Sequence, residues 1–307
     1  MADLETAIQQ YQEALDNTPN DHPDRAGRLH SLGKGYHGRY QRTEAIADLE
    51  TAIQRYQEAL DNTPDNHPDR AGRLQSLGIG YRNRYHGTGA MADLETAIQR
   101  YQEALNNTPH DHPDRASRLH FLGAGYDDRY RKTGAMADLK TAIQRFQEAL
   151  DHSSSFIPVR LEVSIKLLKL YTEVKNWSLA YLAASTGVYL IPMLTPRFLE
   201  DKDKQNLLTK AVGLASDAAA VALIAEKTQY EAIQLLEVGR GVILGSLNEM
   251  RADISDLQLK HPQEAEKYIQ FRNELDTPTA STRQVNPFNV QTMLTRHSDR
   301  RYDAGQD

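Results

Sequence analysis

Histidine is the residue most readily placed in a reaction, and in this sequence it recurs in a fixed setting. His22, His67 and His112 each stand before Pro-Asp-Arg. A His-Pro-Asp run could be a proton relay, in which the carboxylate orients the imidazole. It could equally be the start of a helix, copied each time the segment was duplicated. Relays 45 residues apart have no reason to converge on one substrate, which favours the helix start. His110 and His112, with Asp111 and Asp114 beside them, could hold a metal, yet no further ligand is fixed by spacing. Gly239-Arg240-Gly241 followed by Gly245 imitates a phosphate loop, but it lies in a helical pattern with no strand before it, so packing glycines are expected there. No Gly-x-Ser-x-Gly elbow occurs, and with no cysteine there is no thiolate nucleophile, thiolate ligand or disulfide. The expectation is a protein that is not an enzyme, with no catalytic residue, no metal and no cofactor.

The elements that position these residues are set by a repeat. Asp3-Leu-Glu-Thr-Ala-Ile-Gln returns at Asp48 and Asp93, and as Asp138-Leu-Lys-Thr-Ala-Ile-Gln, always 45 residues on. Residues 3–47 and 48–92 agree at 34 of 45 positions, as do 48–92 and 93–137. Each unit carries two helical patterns. In the stretch from Asp93, the set Leu94, Ala97, Ile98, Tyr101, Ala104 and Leu105 makes one apolar stripe. Asn107-Thr108-Pro109 stops it. A second helix is expected from His67-Pro68-Asp69-Arg70, with proline at its first position and Leu74, Leu77, Tyr81 and Tyr85 on its apolar face. Gly87-Thr88-Gly89 supplies the turn to the next helix.

These positions resemble the tetratricopeptide repeat. Leu74, Leu77-Gly78 and Tyr81 fit its first helix, and Ala97, Tyr101, Ala104 and Pro109 fit its second. The resemblance implies an all-α, TPR-like superhelical solenoid with 45-residue repeats. An orphan second helix opens the chain, and three pairs follow within residues 2–152. Tyr171, Ala180, Ala184, Gly187 and Pro192, then Leu223, Ala232, Leu236 and Gly239, extend the pattern in degenerate form over 156–245. Thr195–Gln205 reads as a loop, 246–276 as a helical hairpin broken at His261-Pro262, and 277–307 as linker and tail. Gly33, Gly78 and Gly123, with Ala52, Ala97 and Ala142, should lie where helices approach closely, so Gly78→Leu should clash. Tyr36, Tyr81 and Tyr126 should bury their rings and keep the hydroxyl paired or wet.

Where near-identical repeats differ, a ligand could be read. The variable positions are His30/Gln75/His120, Lys34/Ile79/Ala124, His37/Arg82/Asp127 and Gly38/Asn83/Asp128. They fall near the offsets that line the groove in tetratricopeptide proteins, and drift on an unconstrained surface is the alternative. The Lys34–Arg82 end and the Asp127–Asp128 end would give the groove opposite charge at its ends, which suits an extended dipolar peptide. A protein or peptide partner is therefore expected. The net charge of −6 disfavours nucleic acid. The lack of a signal-like start and of an uninterrupted 18-residue apolar run argues for a cytoplasmic chain with no membrane partner.

A narrower likeness rests on Ala232-Ile-Gln-Leu-Leu-Glu-Val-Gly-Arg-Gly-Val-Ile-Leu-Gly and Arg251-Ala-Asp-Ile-Ser-Asp-Leu, together with the repeat. The chain resembles fungal tetratricopeptide proteins with a carboxy-terminal CHAT domain, some of them labelled aromatic di-alanine and TPR-containing proteins. That domain is a caspase-like peptidase fold with a His/Cys dyad. Arg300–Asp307 looks like the lead-in to it, so the chain is expected to stop before the peptidase, and no residue takes the nucleophile's role. The resemblance implies either an adaptor or the regulatory half of a peptidase, which would meet a CHAT domain in cis or in trans.

Overall fold

A computed structural model describes residues 2–194, 201–251 and 255–276. Among them the secondary structure is helical throughout, with no strand. The chain divides into two units, Met1–Val159 and Arg160–Asp307.

In the first unit α1 (Ala2–Asp16) precedes three antiparallel pairs: α2 (Arg25–Thr43) with α3 (Ile46–Asp61), α4 (Arg70–Thr88) with α5 (Met91–Asn106), and α6 (Arg115–Thr133) with α7 (Met136–Asp151). Each helix packs on the next, as a TPR-like solenoid requires. The trailing helices α3, α5 and α7 bury the stripe that their periodicity demands. In α5, Leu94, Ala97, Ile98, Tyr101, Ala104 and Leu105 are all buried. The stop is a threonine: Thr108 Oγ1 donates to the Ala104 carbonyl at 2.7 Å, satisfying an orphan acceptor of the last turn.

The leading helices begin two residues later than the proline rule places them. Their regular turns start at Arg25, Arg70 and Arg115, and the prolines lie in the turn before. The histidine acts as the cap. His67 Nδ1 accepts the Asp69 N–H at 3.1 Å and the His67 carbonyl accepts the Arg70 N–H at 3.0 Å, and His22 and His112 repeat the arrangement. At the other end Gly89 and Gly134 take left-handed φ of 76° and 72° and close α4 and α6. The first repeat has Glu44 in that place, at φ 57°.

Close approach is arranged by paired glycines in Leu-Gly-x-Gly-Tyr. A Cβ on Gly78 would stand 2.6–2.8 Å from ring carbons of Tyr101 in the following α5. A Cβ on Gly80 would stand 2.8 Å from Ile53 in the preceding α3. One glycine thus admits the helix behind and the other the helix ahead. Ala52, Ala97 and Ala142 are fully buried at the same contacts.

A clamp joins the two helices of each pair. Arg84 donates to Asp93 through Nε at 2.8 Å and Nη2 at 2.6 Å, and its guanidinium lies over the Tyr81 ring at 5.2 Å. Arg39–Asp48 over Tyr36 and Arg129–Asp138 over Tyr126 are its copies. Each aspartate sits in the first turn of its helix, where the dipole also favours a carboxylate. The tyrosine rings are half-buried under the arginines.

The second unit holds α8 (Ile157–Glu173, entering from the first), α9 (Trp177–Leu190) with a 3-10 turn at Ile191–Leu194, α10 (Asp201–Ile224), α11 (Gln229–Arg251), α12 (Ser255–Lys260) and α13 (Pro262–Asp276). Residues 201–205 therefore belong to α10 rather than to the expected loop, and 195–200 lie outside the described residues, as do 252–254 and the expected tail 277–307. Gly187 on α9 is a contact residue: a Cβ there would meet the buried Ser164 of α8 and Leu214 of α10. Among the described residues, by contrast, nothing lies within 4 Å of a Cβ on Gly241 in α11. Thr228 and Glu231 start α11 with a capping box, Glu231 Oε2 accepting the Thr228 N–H at 2.9 Å and Thr228 Oγ1 accepting the Glu231 N–H at 3.2 Å. By length and mean hydropathy of 1.3 the stretch Trp177–Leu194 could cross a membrane; half of it is buried inside the structure, α9 packing on α10.

Candidate partner-binding face

The variable positions of the leading helices come together, and most of them face a neighbouring helix. His30 on α2 shares a hydrogen bond with Ser76 on α4 at 2.9 Å. His37 and Asn83 do the same at 2.6 Å. Between α4 and α6, Arg118 donates to Gln75, and Arg82 Nε donates to Asp128 at 2.6 Å, with His86 Nε2 3.1 Å from the same carboxylate. His37, Gln75, Asn83, His120, Ala124 and Asp127 are buried, while His30, Lys34, Ile79, Arg82 and Asp128 are half-buried.

The charges do not form the dipolar groove expected from the sequence. Arg82 and Asp128 were expected at opposite ends of a dipolar groove, and they neutralise each other in one ion pair. Asp127 is likewise held by Arg131 at 3.0 Å. Burial alone would raise the Asp128 pKa, but the adjacent Arg82 and His86 outweigh it and hold the carboxyl well below its ordinary range. Burial opposes the Arg82 charge too, and Asp128 more than restores it.

One row between these pairs is left without a polar commitment. Lys34, Ile79 and Ala124 occupy the same position in successive leading helices, four residues after His30, Gln75 and His120. On a helix they must share the face that carries those contacts. Lys34 makes no hydrogen bond or ion pair among the described residues; burial lowers its pKa, with Asp69 pulling the other way. His30 beside it is depressed from 6.5 to about 3 by burial first, then by the charges of Lys34 and Arg73.

Reasoning from the sequence missed Ser76, Arg118 and His86 as members of this face. The signal was present for two of them, since Ser31/Ser76/Phe121 and Gln41/His86/Arg131 also differ between repeats. Arg118 is invariant and carried no such mark. The other candidates resolve into structure. His112 Nδ1 is taken up as a cap, and the His110 carbonyl bonds to His152 Nε2 at 2.8 Å. Among the described residues no group of three or more His, Asp or Glu side chains could hold a metal. Two repeat-equivalent clefts of about 490 and 510 Å³ open beside the turns after α3 and α1. Their arginines are engaged: Arg70 with Asp65 and the Thr63 carbonyl, Arg100 with Glu103.

The first unit is thus a stack of tetratricopeptide-type helix pairs whose leading helices share one face. The tetratricopeptide repeat family matches residues 25–69 and 70–114, each match starting where a leading helix starts. No curated protein matches the chain in sequence. Among solved structures, BtubC (BKLC) from P. vanneervenii is similar at a TM-score of 0.53 and 16% identity, covering 80% of this chain and 90% of that one. A Podosopora anserina protein, described as a candidate kinesin light chain with nearly identical TPR-like repeats, gives 0.48 at 16% identity over 74% of this chain and 98% of its own. At such identity the likeness to BtubC shows the fold alone.

Proposed function

We propose that this chain is a non-catalytic scaffold that binds an extended segment of a partner protein on the face formed by α2, α4 and α6. Tetratricopeptide repeats generally mediate protein–protein interaction, and the observation that carries the reading here is the row at Lys34, Ile79 and Ala124. Its flanks are occupied by helix-to-helix bonds, while its own side chains offer an uncommitted ammonium and a half-exposed isoleucine. Such a strip can take an apolar side chain and a nearby acceptor from a peptide lying across the helices. A net charge of −6 supports protein rather than nucleic acid as the partner, and a cytoplasmic setting fits the cysteine-free composition. The test is selection of binders from a displayed library of unstructured peptides, followed by titration of a selected peptide against variants. Ile79→Arg should weaken binding by about tenfold or more, equivalent to ~1.4 kcal/mol, while Gln99→Arg on the exposed side of α5 should not. Equal affinities would remove the row from the interface.

A second reading makes the chain the regulatory arm of a CHAT-type peptidase. It is supported by the 232–257 resemblance and by Leu259 and Tyr268 of α12 and α13, which are exposed and offer an apolar surface to a further domain. Under it, an isolated CHAT domain should bind the chain, and Leu259→Ser with Tyr268→Ser should abolish that binding.

A further inference from the structure

The repeats of the first unit are so alike that most of their apolar contacts recur at each junction and do little to specify their order. Gly78 meets Tyr101 as Gly33 meets Tyr56, and Gly80 meets Ile53 as Gly125 meets Ile98. The Arg84–Asp93 clamp is identical to Arg39–Asp48 and Arg129–Asp138. On these contacts alone, repeat three could follow repeat one as well as repeat two does.

The polar pairs between leading helices do distinguish the neighbours, as does the stacking of Phe121 on Tyr101, which Ser76 cannot make at the first junction. We propose that this ladder, His37–Asn83 and then Arg82–Asp128, with His30–Ser76 and Gln75–Arg118 beside it, is a matching code that fixes the order in which the repeats stack. The first two rungs each join a residue to the one 46 positions on in the next leading helix, at positions 37/82/127 of one repeat and 38/83/128 of the next. The second set reads Gly38, Asn83, Asp128. Arg82 finds a carboxylate only when repeat three follows repeat two. Against a first repeat it would face Gly38, and against another second repeat an amide. Two third repeats in succession would oppose Asp127 to Asp128. His30 likewise would meet Phe121 in place of Ser76 if repeat three followed repeat one. Because Arg82 and Asp128 are largely screened from water, a missing counter-charge is not made good by solvent. Mismatched stacks therefore lose a rung, and the native order keeps them all.

The code is separable from the interfaces that it orders, so it can be tested in the full chain. In one variant the segments 70–106 and 115–151, equal in length, are exchanged, leaving every helix pair and the linking turns intact and altering only who follows whom. In a second, the exchanged chain also has the residues at the two rung positions put back in native order. The exchanged chain should lose its sharp unfolding transition or melt at least about 5 °C lower, and should refold partly into oligomers. Restoring the rungs should return a monomer-to-oligomer ratio and a melting temperature close to those of the parent. An exchanged chain that melts and refolds like the parent would overturn the proposal. So would a defect that the restored rungs leave unchanged, since the order would then be set elsewhere. Arg82→Asp with Asp128→Arg provides a second line: the reversed pair should refold with the parent's oligomer fraction, and Arg82→Asp alone should not. A single variant indistinguishable from the reversed pair would contradict the code.

Discussion

Two substitutions of identical chemistry should have opposite effects if the leading helices are packed as described. Gly27 and Gly78 both lie inside leading helices, where replacing glycine by alanine gains about 0.5–1 kcal/mol from backbone entropy. At Gly27 a new methyl meets nothing within 4 Å, so Gly27→Ala should keep that gain. At Gly78 the methyl would be 2.6–2.8 Å from carbons of Tyr101, which is 1% exposed and has no room to retreat. Overpacking of this kind costs about 1–3 kcal/mol, which cancels the entropic gain and leaves Gly78→Ala destabilised by up to about 2.5 kcal/mol. The gain is common to both, so the two variants should separate by the overpacking cost alone, about 1–3 kcal/mol, or several degrees in melting temperature. Urea unfolding followed by circular dichroism measures this, with unchanged slopes confirming that the folded states are compared. If Gly78→Ala were stabilising like Gly27→Ala, the close approach of α4 to α5 would be refuted. Gly78→Leu should be worse than either.

Four further outcomes follow from single residues. The Tyr101 hydroxyl is buried without a hydrogen-bond partner, and the third repeat carries Phe146 at that position, so Tyr101→Phe should be neutral or stabilising by up to about 1 kcal/mol in thermal unfolding. Glu44→Gly should stabilise by about 0.5–1 kcal/mol, because Glu44 holds the left-handed conformation that Gly89 and Gly134 supply elsewhere. Arg84→Lys should lower stability by about 1 kcal/mol, since an ammonium cannot reproduce both the forked bond to Asp93 and the stacking on Tyr81. Acid should act through His30: its folded pKa lies below the ordinary 6.5, at about 3, so the unfolded chain binds the proton more tightly. Stability is then full above pH 6.5 and falls towards pH 3, at up to about 1.4 kcal/mol per unit. His30→Gln, the residue of the second repeat, should flatten the profile between pH 4 and 6.5, above the range in which Asp128 contributes.

The helices were legible because the apolar stripe of each trailing helix repeats without slippage, and Leu94 through Leu105 are buried as their spacing dictates. The cap at His67 was less so. A proline before Asp-Arg suggests a first helical position, while the imidazole's use as an acceptor for the Asp69 N–H depends on a ring orientation that no spacing rule carries. Gly80 was overlooked beside Gly78 because the repeat pattern marks only one close approach, and the contact with Ile53 involves the previous pair. The Arg84–Asp93 clamp spans nine residues across a turn, too far for any rule of helical neighbours, though its threefold recurrence was visible. On the candidate face, variability was taken as the mark of a ligand. It marks contact between unlike neighbours equally well, and Arg82 and Asp128 differ among repeats because each must suit the other.

The claim that matters most is that the face of α2, α4 and α6 receives the partner. A photoreactive side chain placed at Ile79, and separately at Gln99 on the exposed side of α5, measures this directly against a selected peptide at a concentration near its Kd. Covalent capture is expected from position 79, competed away by unlabelled peptide, with little from position 99. Capture from 99 with none from 79 would contradict it and move the interaction to the trailing helices.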